Sequence, residues 1–350
     1  MTLTDFDPKR CADFNPNYDF NTCMYYDPDD DEKVCGYCKN RARYRCLALP
    51  SYPIPLSTSS VSDFLTCHYL YFLKAMRGVI VRDHQKSDAL KMGVLWDNAL
   101  QYYLGDNTID LDSIINKYQI REREVAKVRG VYQAYKKLDI QIDPGFTLQH
   151  KFNINYTPFA KWSEWYPGNI YVTGVYDRKY LDSFAENKFT GRPDNYLDPF
   201  FIQSQISTYF LADPSLSFCT MEIIRTPDLK STKSFKDESP EALCERIYQD
   251  AISRPSHYFL GYDRKTHRYG KRYYRSEFNL DEVKARFTHI FREIHEAKAL
   301  DGWYKNDRVC NNVLPGFSCD MLPLCRTGHF NDEVFEIRQR KTNTETKEGV

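Results

Sequence analysis

No stretch of the 350-residue chain approaches the roughly eighteen consecutive apolar residues that a membrane-spanning helix requires. Net charge is lacking as well: 48 Lys and Arg balance 48 Asp and Glu. The molecule therefore has no overall basic field, and any nucleic-acid surface must be a local stripe. A phosphate-binding Gly-x-x-x-x-Gly-Lys-Ser/Thr loop is absent, which removes nucleotide-driven motor chemistry. There is no internal repeat. Residues 1–10 are polar and acidic and contain no signal-peptide core, so the expectation is a cytoplasmic protein without a membrane partner.

Cysteine, by contrast, is abundant and odd in number, with eleven in the chain. In a reducing compartment such residues are more often metal ligands or buried apolar groups than disulfides. Cys219, in the apolar stretch 216–224, and Cys244, after Leu243 in a helical pattern, read as structural. The others fall towards the two ends. Cys67 stands far upstream of Cys310, Cys319 and Cys325, and the four can meet only if the intervening region folds back on itself. A [4Fe–4S] cluster or a structural Zn²⁺ would then close that region like a clasp.

Residues 1–50 form a separate Cys-rich module, acidic and without clear periodicity. Cys23, Cys35, Cys38 and Cys46 have the spacing of a second Zn²⁺ site, with Cys11 to spare; unliganded thiols are the other reading. The segment has too few apolar residues to fold without a staple. Arg41, Arg43 and Arg45, interleaved with Tyr37 and Tyr44, form either a patch that touches phosphates and bases or a solvated strand face. Pro50, Pro53 and Pro55 mark a linker.

Beyond the linker, Ser60 is expected to cap a helix carrying Phe64, Leu65, Tyr69, Phe72 and Leu73. Helical spacing predicts further helices over 89–104, 122–138, 199–212, 238–253 and 280–299. Strands are expected over 146–156, 170–176, 180–188 and 217–225. The fold class is α/β, with residues 51–330 as one domain and 331–350 as a disordered tail.

The chemistry concentrates in Gly174, Asp177, Glu186 and Lys188. Two neighbouring strands can aim Asp177 and Glu186 at one point, and Lys188 shares the face of Glu186 while Asn187 turns away. Paired carboxylates make a hard oxygen site for Mg²⁺ or Mn²⁺, which lowers the pKa of a bound water. A lysine beside them can orient that water and offset developing charge. Gln205 and Tyr209, four apart, lie on one helix face.

In their order along the chain these motifs resemble the PD-(D/E)XK nucleases, specifically the RecB-like iron–sulfur exonucleases related to AddB. Ser60-x-x-x-Phe64-x-x-Cys67 is similar to that family's opening helix with its first cluster cysteine. Gly93-x-x-x-Asp97 occupies the place of its Gly-x-x-x-His motif, with Asp97 for the histidine. Gly174-Val175-Tyr176-Asp177 and Glu186-Asn187-Lys188 resemble its catalytic strands, with Asn187 where an apolar residue is usual. Gln205-x-x-x-Tyr209 matches its Gln-x-x-x-Tyr helix, and Cys310, Cys319 and Cys325 its closing cysteines, with a wider first gap.

The resemblance covers about residues 57–326. It implies a restriction-endonuclease-like core, a central mixed sheet flanked by helices, closed by the cysteine clasp with a [4Fe–4S] cluster favoured over Zn²⁺. It implies that Asp177 and Glu186 bind the metal, with Asp97 either a further ligand or a solvated helix residue, that Lys188 assists the attacking water, and that Gln205 and Tyr209 position the substrate. The expected activity is metal-dependent DNA exonuclease cleavage in replication, recombination or repair, on single strands or duplex ends. A recombination or replication protein is an expected partner. The compact form without a motor motif suggests a phage-encoded protein or a bacterial recombination system. A CRISPR-adaptation nuclease and a catalytically idle DNA-binding or scaffold protein are the alternatives.

Overall fold

A computed structural model describes residues 56–155, 171–229, 238–300, 302–310 and 319–338. The amino-terminal module with Cys11, Cys23, Cys35, Cys38 and Cys46, the basic patch at Arg41, Arg43 and Arg45, the linker prolines and the segment after 338 lie outside the described residues. In chain order come helix α1 (Thr58–Thr66), strand β1 (Val79–Val81), helices α2 (Asp88–Tyr103), α3 (Leu111–Tyr118) and α4 (Glu122–Lys137), and strands β2 (Thr147–Asn155), β3 (Tyr171–Lys179) and β4 (Ser183–Thr190). Then follow α5 (Pro199–Ala212), β5 (Phe218–Arg225), α6 (Pro240–Ser253), β6 (Lys271–Tyr274), α7 (Leu280–Leu300) and β7 (Phe335–Ile337). The chain divides into two compact units.

One unit, Asp83–Ile154 with Thr173–Phe287, contains the five-stranded sheet. Its order is β2-β3-β4-β5-β6. β3 and β4 are antiparallel, β4 and β5 parallel from Ser183↔Phe218 to Thr190↔Arg225, and β5 and β6 antiparallel, so the sheet is mixed. The parallel pair needs a crossover, and α5 supplies it. Adjacent residues on β5 go to different cores. Ile224 joins Trp96, Leu100, Val131, Tyr135, Leu243 and Ile247 from α2, α4 and α6. Ile223 joins Ile206, Tyr209 and Phe210 of α5, with Tyr176 and Phe184. Neighbouring strand residues point to opposite faces, so helices flank the sheet on both sides.

Gly174 of β3 is required by this packing. A Cβ there would lie 2.4 Å from the Phe152 ring and 3.0 Å from Tyr209. Without one, Phe152 seats edge-on against Tyr209, their ring centres 5.3 Å apart.

The other unit comprises Met1–Arg82, Asn155–Val172 and Thr288–Val350. Its α1 is capped by Ser57 rather than Ser60. Ser57 Oγ accepts from the Ser60 N–H, and Ser60 Oγ accepts from the Ser57 N–H at 2.8 Å. Such a capping box uses two residues three apart, and Ser60 is its second member. The apolar run from Phe64 to Leu73 does not form one helix, because Cys67 takes an extended conformation and ends α1. A turn of helix over His68–Tyr71 and a π-helical turn over Phe72–Met76 follow.

Residues 331–337 do not belong to a tail. β7 pairs antiparallel with β1, Val81 beside Phe335 and Val79 beside Ile337, and Phe335 is buried. Helix α3 is a further element that the sequence expectation lacked. Asp110 caps it through the Asp112 and Ser113 N–H groups.

Candidate active site

The pairing of β3 with β4 runs through Lys179↔Phe184 and Arg178↔Ala185. Just past this, a side chain replaces the main chain: Asp177 Oδ2 accepts the Asn187 N–H at 2.8 Å. The interchange fixes one carboxylate oxygen of Asp177 beside Glu186, and it satisfies a backbone donor that buried structure cannot leave unpaired.

Glu186 is almost fully buried, at 1% exposure. Its Oε2 accepts from Lys188 Nζ at 3.3 Å and from Gln205 Nε2 at 2.8 Å. Its Oε1 has no hydrogen-bond partner. Lys188 shares the face of Glu186, as the two-residue period requires. Its ammonium is held above its ordinary pKa: desolvation acts against the charge, but Glu186 and Asp177 outweigh it.

Gln205 and Tyr209 both reach the site from α5, as their spacing predicts, and both are hydrogen-bonded within the protein. Gln205 also donates to the Tyr209 hydroxyl at 3.2 Å, and Tyr209 donates to the Val175 carbonyl at 2.8 Å. Tyr209 thereby ties α5 to β3, and Gln205 sets the orientation of Glu186.

Asp97 of α2 belongs to the same electrostatic group. Burial raises its pKa to about 7, and the Asp177 charge adds to the rise; Gln101, donating to Oδ2 at 2.7 Å, and Lys188 oppose it. Glu186 is pushed up to about 8, again by burial first and by Asp177 second, against Lys188. Three carboxylates and one lysine leave excess negative charge, and without a counter-ion protons must neutralise it. Gln101 was not anticipated as part of the site. Its position four residues beyond Asp97 on one helix was the available signal.

Among the described residues no group of three or more His, Cys, Asp or Glu side chains stands in an arrangement that could hold a metal ion. The donor chemistry nevertheless suits a hard divalent cation. All the candidate donors are carboxylates, their mutual repulsion favours a bound cation, and Glu186 Oε1 is a buried acceptor without a donor.

In the other unit, Cys67, Cys310, Cys319 and Cys325 are drawn together, all as free thiols. The Asn306 N–H donates to Cys67 Sγ at 3.3 Å, Cys310 Sγ donates to the Asn306 carbonyl at 3.4 Å, and the Cys319 N–H donates to the Cys310 carbonyl at 2.8 Å. Burial pushes the Cys325 thiol up to about 11, Lys305 pulls it down, and the other three cysteines push it further up. Cys219 is fully buried in the α5 core, and Cys244 of α6 is partly exposed and donates towards Gln133. His68 is packed between Phe64 and Tyr304, with ring centres 4.0 and 4.1 Å away.

The carboxylate group makes the metal-free protein sensitive to pH. Because Glu186 and Asp97 titrate above the ordinary carboxylate range, the folded state binds more protons than the unfolded chain. Stability must then fall as pH rises from about 4.5 to about 8. The melting temperature in EDTA should drop by at least roughly 5 °C between pH 5 and pH 8. Glu186→Gln should remove much of that drop, and a drop of the same size in this variant would contradict the assignment.

Comparison with protein-family models, with curated proteins and with solved structures finds no match for this chain.

Proposed function

We propose that this protein is a metal-dependent deoxyribonuclease, an exonuclease that processes DNA ends or single strands in replication, recombination or repair. The observation that carries the proposal is Glu186: a buried carboxylate beside Asp177, whose charge also acts on Asp97, oriented by Lys188 and Gln205, with one oxygen left without a donor. A group of that kind serves poorly as a packing element, since it is costly to bury and incompletely paired. It suits a centre completed by Mg²⁺ or Mn²⁺.

Asp97, Asp177 and Glu186 would hold the cation, whose chemistry is to polarise a phosphate oxygen and acidify a water. The chain's own residues do the rest. Asp177 is pinned through Asn187, so its free oxygen keeps a constant place. Gln205, donating from α5, prevents Glu186 from swinging away from that helix. Lys188 stays charged within reach of Glu186 and offsets negative charge as the water oxygen bonds to phosphorus and the ester P–O bond breaks. The five-stranded mixed sheet with flanking helices agrees with a restriction-endonuclease-like core. The gathered thiols support a cysteine clasp, with a [4Fe–4S] cluster favoured and Zn²⁺ the other metal suited to four thiolates.

Purified protein with Mn²⁺ should shorten end-labelled single- or double-stranded DNA. Glu186→Ala and Lys188→Ala should each slow this by at least about a hundredfold while retaining the fold. Wild-type protein that binds DNA but cleaves neither form would point instead to an idle DNA-binding protein.

The clasp is tested separately. Cys67→Ser and Cys325→Ser, 258 residues apart in sequence, should lose iron or zinc together and lower the melting temperature alike, since loss of a structural metal removes folding free energy. Full metal content in Cys67→Ser would rule out a shared site.

A further inference from the structure

We infer that Arg178, Asn187 and Glu222 form a positioning network beneath the carboxylate site, which holds Asp177 in register with Glu186. The inference rests on reading that site as a cation-dependent nuclease centre.

Each member is one residue from the chemistry or bound to one that is. Arg178 follows Asp177 on β3, and Asn187 follows Glu186 on β4. Glu222 of β5 lies in register beside Asn187. Arg178 is buried to 1% exposure, yet it remains a full cation, ion-paired to Glu222. The Tyr269 hydroxyl donates to the second Glu222 oxygen at 3.2 Å.

Because β4 lies between β3 and β5, this ion pair spans three strands. Arg178 stands in register beside Ala185, whose single methyl leaves room for the guanidinium to cross. The strut thus ties together the two strands that flank β4 at the place where the β3–β4 ladder gives way to the Asp177–Asn187 hydrogen bond.

Unpaired atoms point the same way. Arg178 Nε and Nη1 are buried donors without partners, and Asn187 Oδ1 is a buried acceptor without one. On adjacent strands, two residues out of register, these groups are complementary, and one bridging water would satisfy them. This accounts for a polar residue between Glu186 and Lys188, where packing alone would favour an apolar one. A hydrophobic pair would stabilise the sheet as well as a buried ion pair does. The charges are therefore better explained by geometry than by stability. Arg178 and Glu222 are positioning residues that act through Asn187 and Asp177.

The test uses the full-length double variant Arg178→Met with Glu222→Met, which removes both charges at once and leaves none unpaired. Asn187→Val, which keeps the ion pair, is the second variant should the first not fold. Three quantities are measured on each: melting temperature, Mn²⁺ affinity by calorimetry, and hydrogen exchange of the backbone N–H at position 187 in metal-free protein. The network predicts a near-wild-type melting temperature, Mn²⁺ affinity reduced about 10- to 100-fold, and exchange at position 187 at least about tenfold faster. If wild-type protein bound no Mn²⁺ while exchange at position 187 still accelerated in the variants, the nuclease reading would fail and the network would stand. Unchanged exchange and unchanged Mn²⁺ affinity in a folded variant would overturn the network.

Discussion

Negative charge buried without enough positive charge is the constraint around which the sheet-bearing unit is arranged. Glu186 lies wholly inside the protein, Asp177 and Asp97 repel it or each other, and Lys188 is the ammonium among them. Desolvation of a lone carboxylate is expensive, and proteins ordinarily avoid it by pairing or by protonation. Here protonation near neutral pH is the metal-free solution. In the proposed centre a divalent cation would displace those protons.

The surrounding architecture keeps these groups from relaxing away from one another. Asp177 cannot turn outward because the Asn187 amide holds it, and Glu186 cannot because Lys188 and Gln205 do. Gln205 is in turn steadied by Tyr209, which is anchored on the Val175 carbonyl. Gly174 lets Phe152 and Tyr209 close over that strand. Behind the site, the Arg178–Glu222 ion pair crosses β4 and fixes the neighbouring strands. Geometry held in this way is what the proposed catalytic centre would need.

Much of this arrangement was legible in the sequence because it rests on short-range periodicity. Two-residue spacing put Glu186 and Lys188 on one face, and four-residue spacing put Gln205 beside Tyr209; both pairs meet as expected. Helices α2, α4 and α6 carry long apolar periods and fell within a residue or two of their expected bounds. Elements set by distant partners were not legible. Strands β1 and β7 are three residues each, too short to show a period, and they exist because Val79–Val81 and Phe335–Ile337 find each other. The break at Cys67 has a similar cause, since its sulfur donates to the Tyr304 carbonyl and accepts the Asn306 N–H, far along the chain. Asn187 looked like a departure from pattern, and only the register with Glu222 supplies a buried polar surrounding for it.

The central claim, that these carboxylates await a cation and carry protons in its place, is tested most directly by counting protons on binding. Calorimetric titration of Mn²⁺ into metal-free protein, in buffers of differing ionisation enthalpy, gives that number. The account predicts release of about one proton or more per Mn²⁺ at pH 7, falling towards none above pH 9, with Glu186→Gln releasing fewer at pH 7. Binding of Mn²⁺ with no proton release at pH 7, and with the same affinity at both pH values, would contradict it.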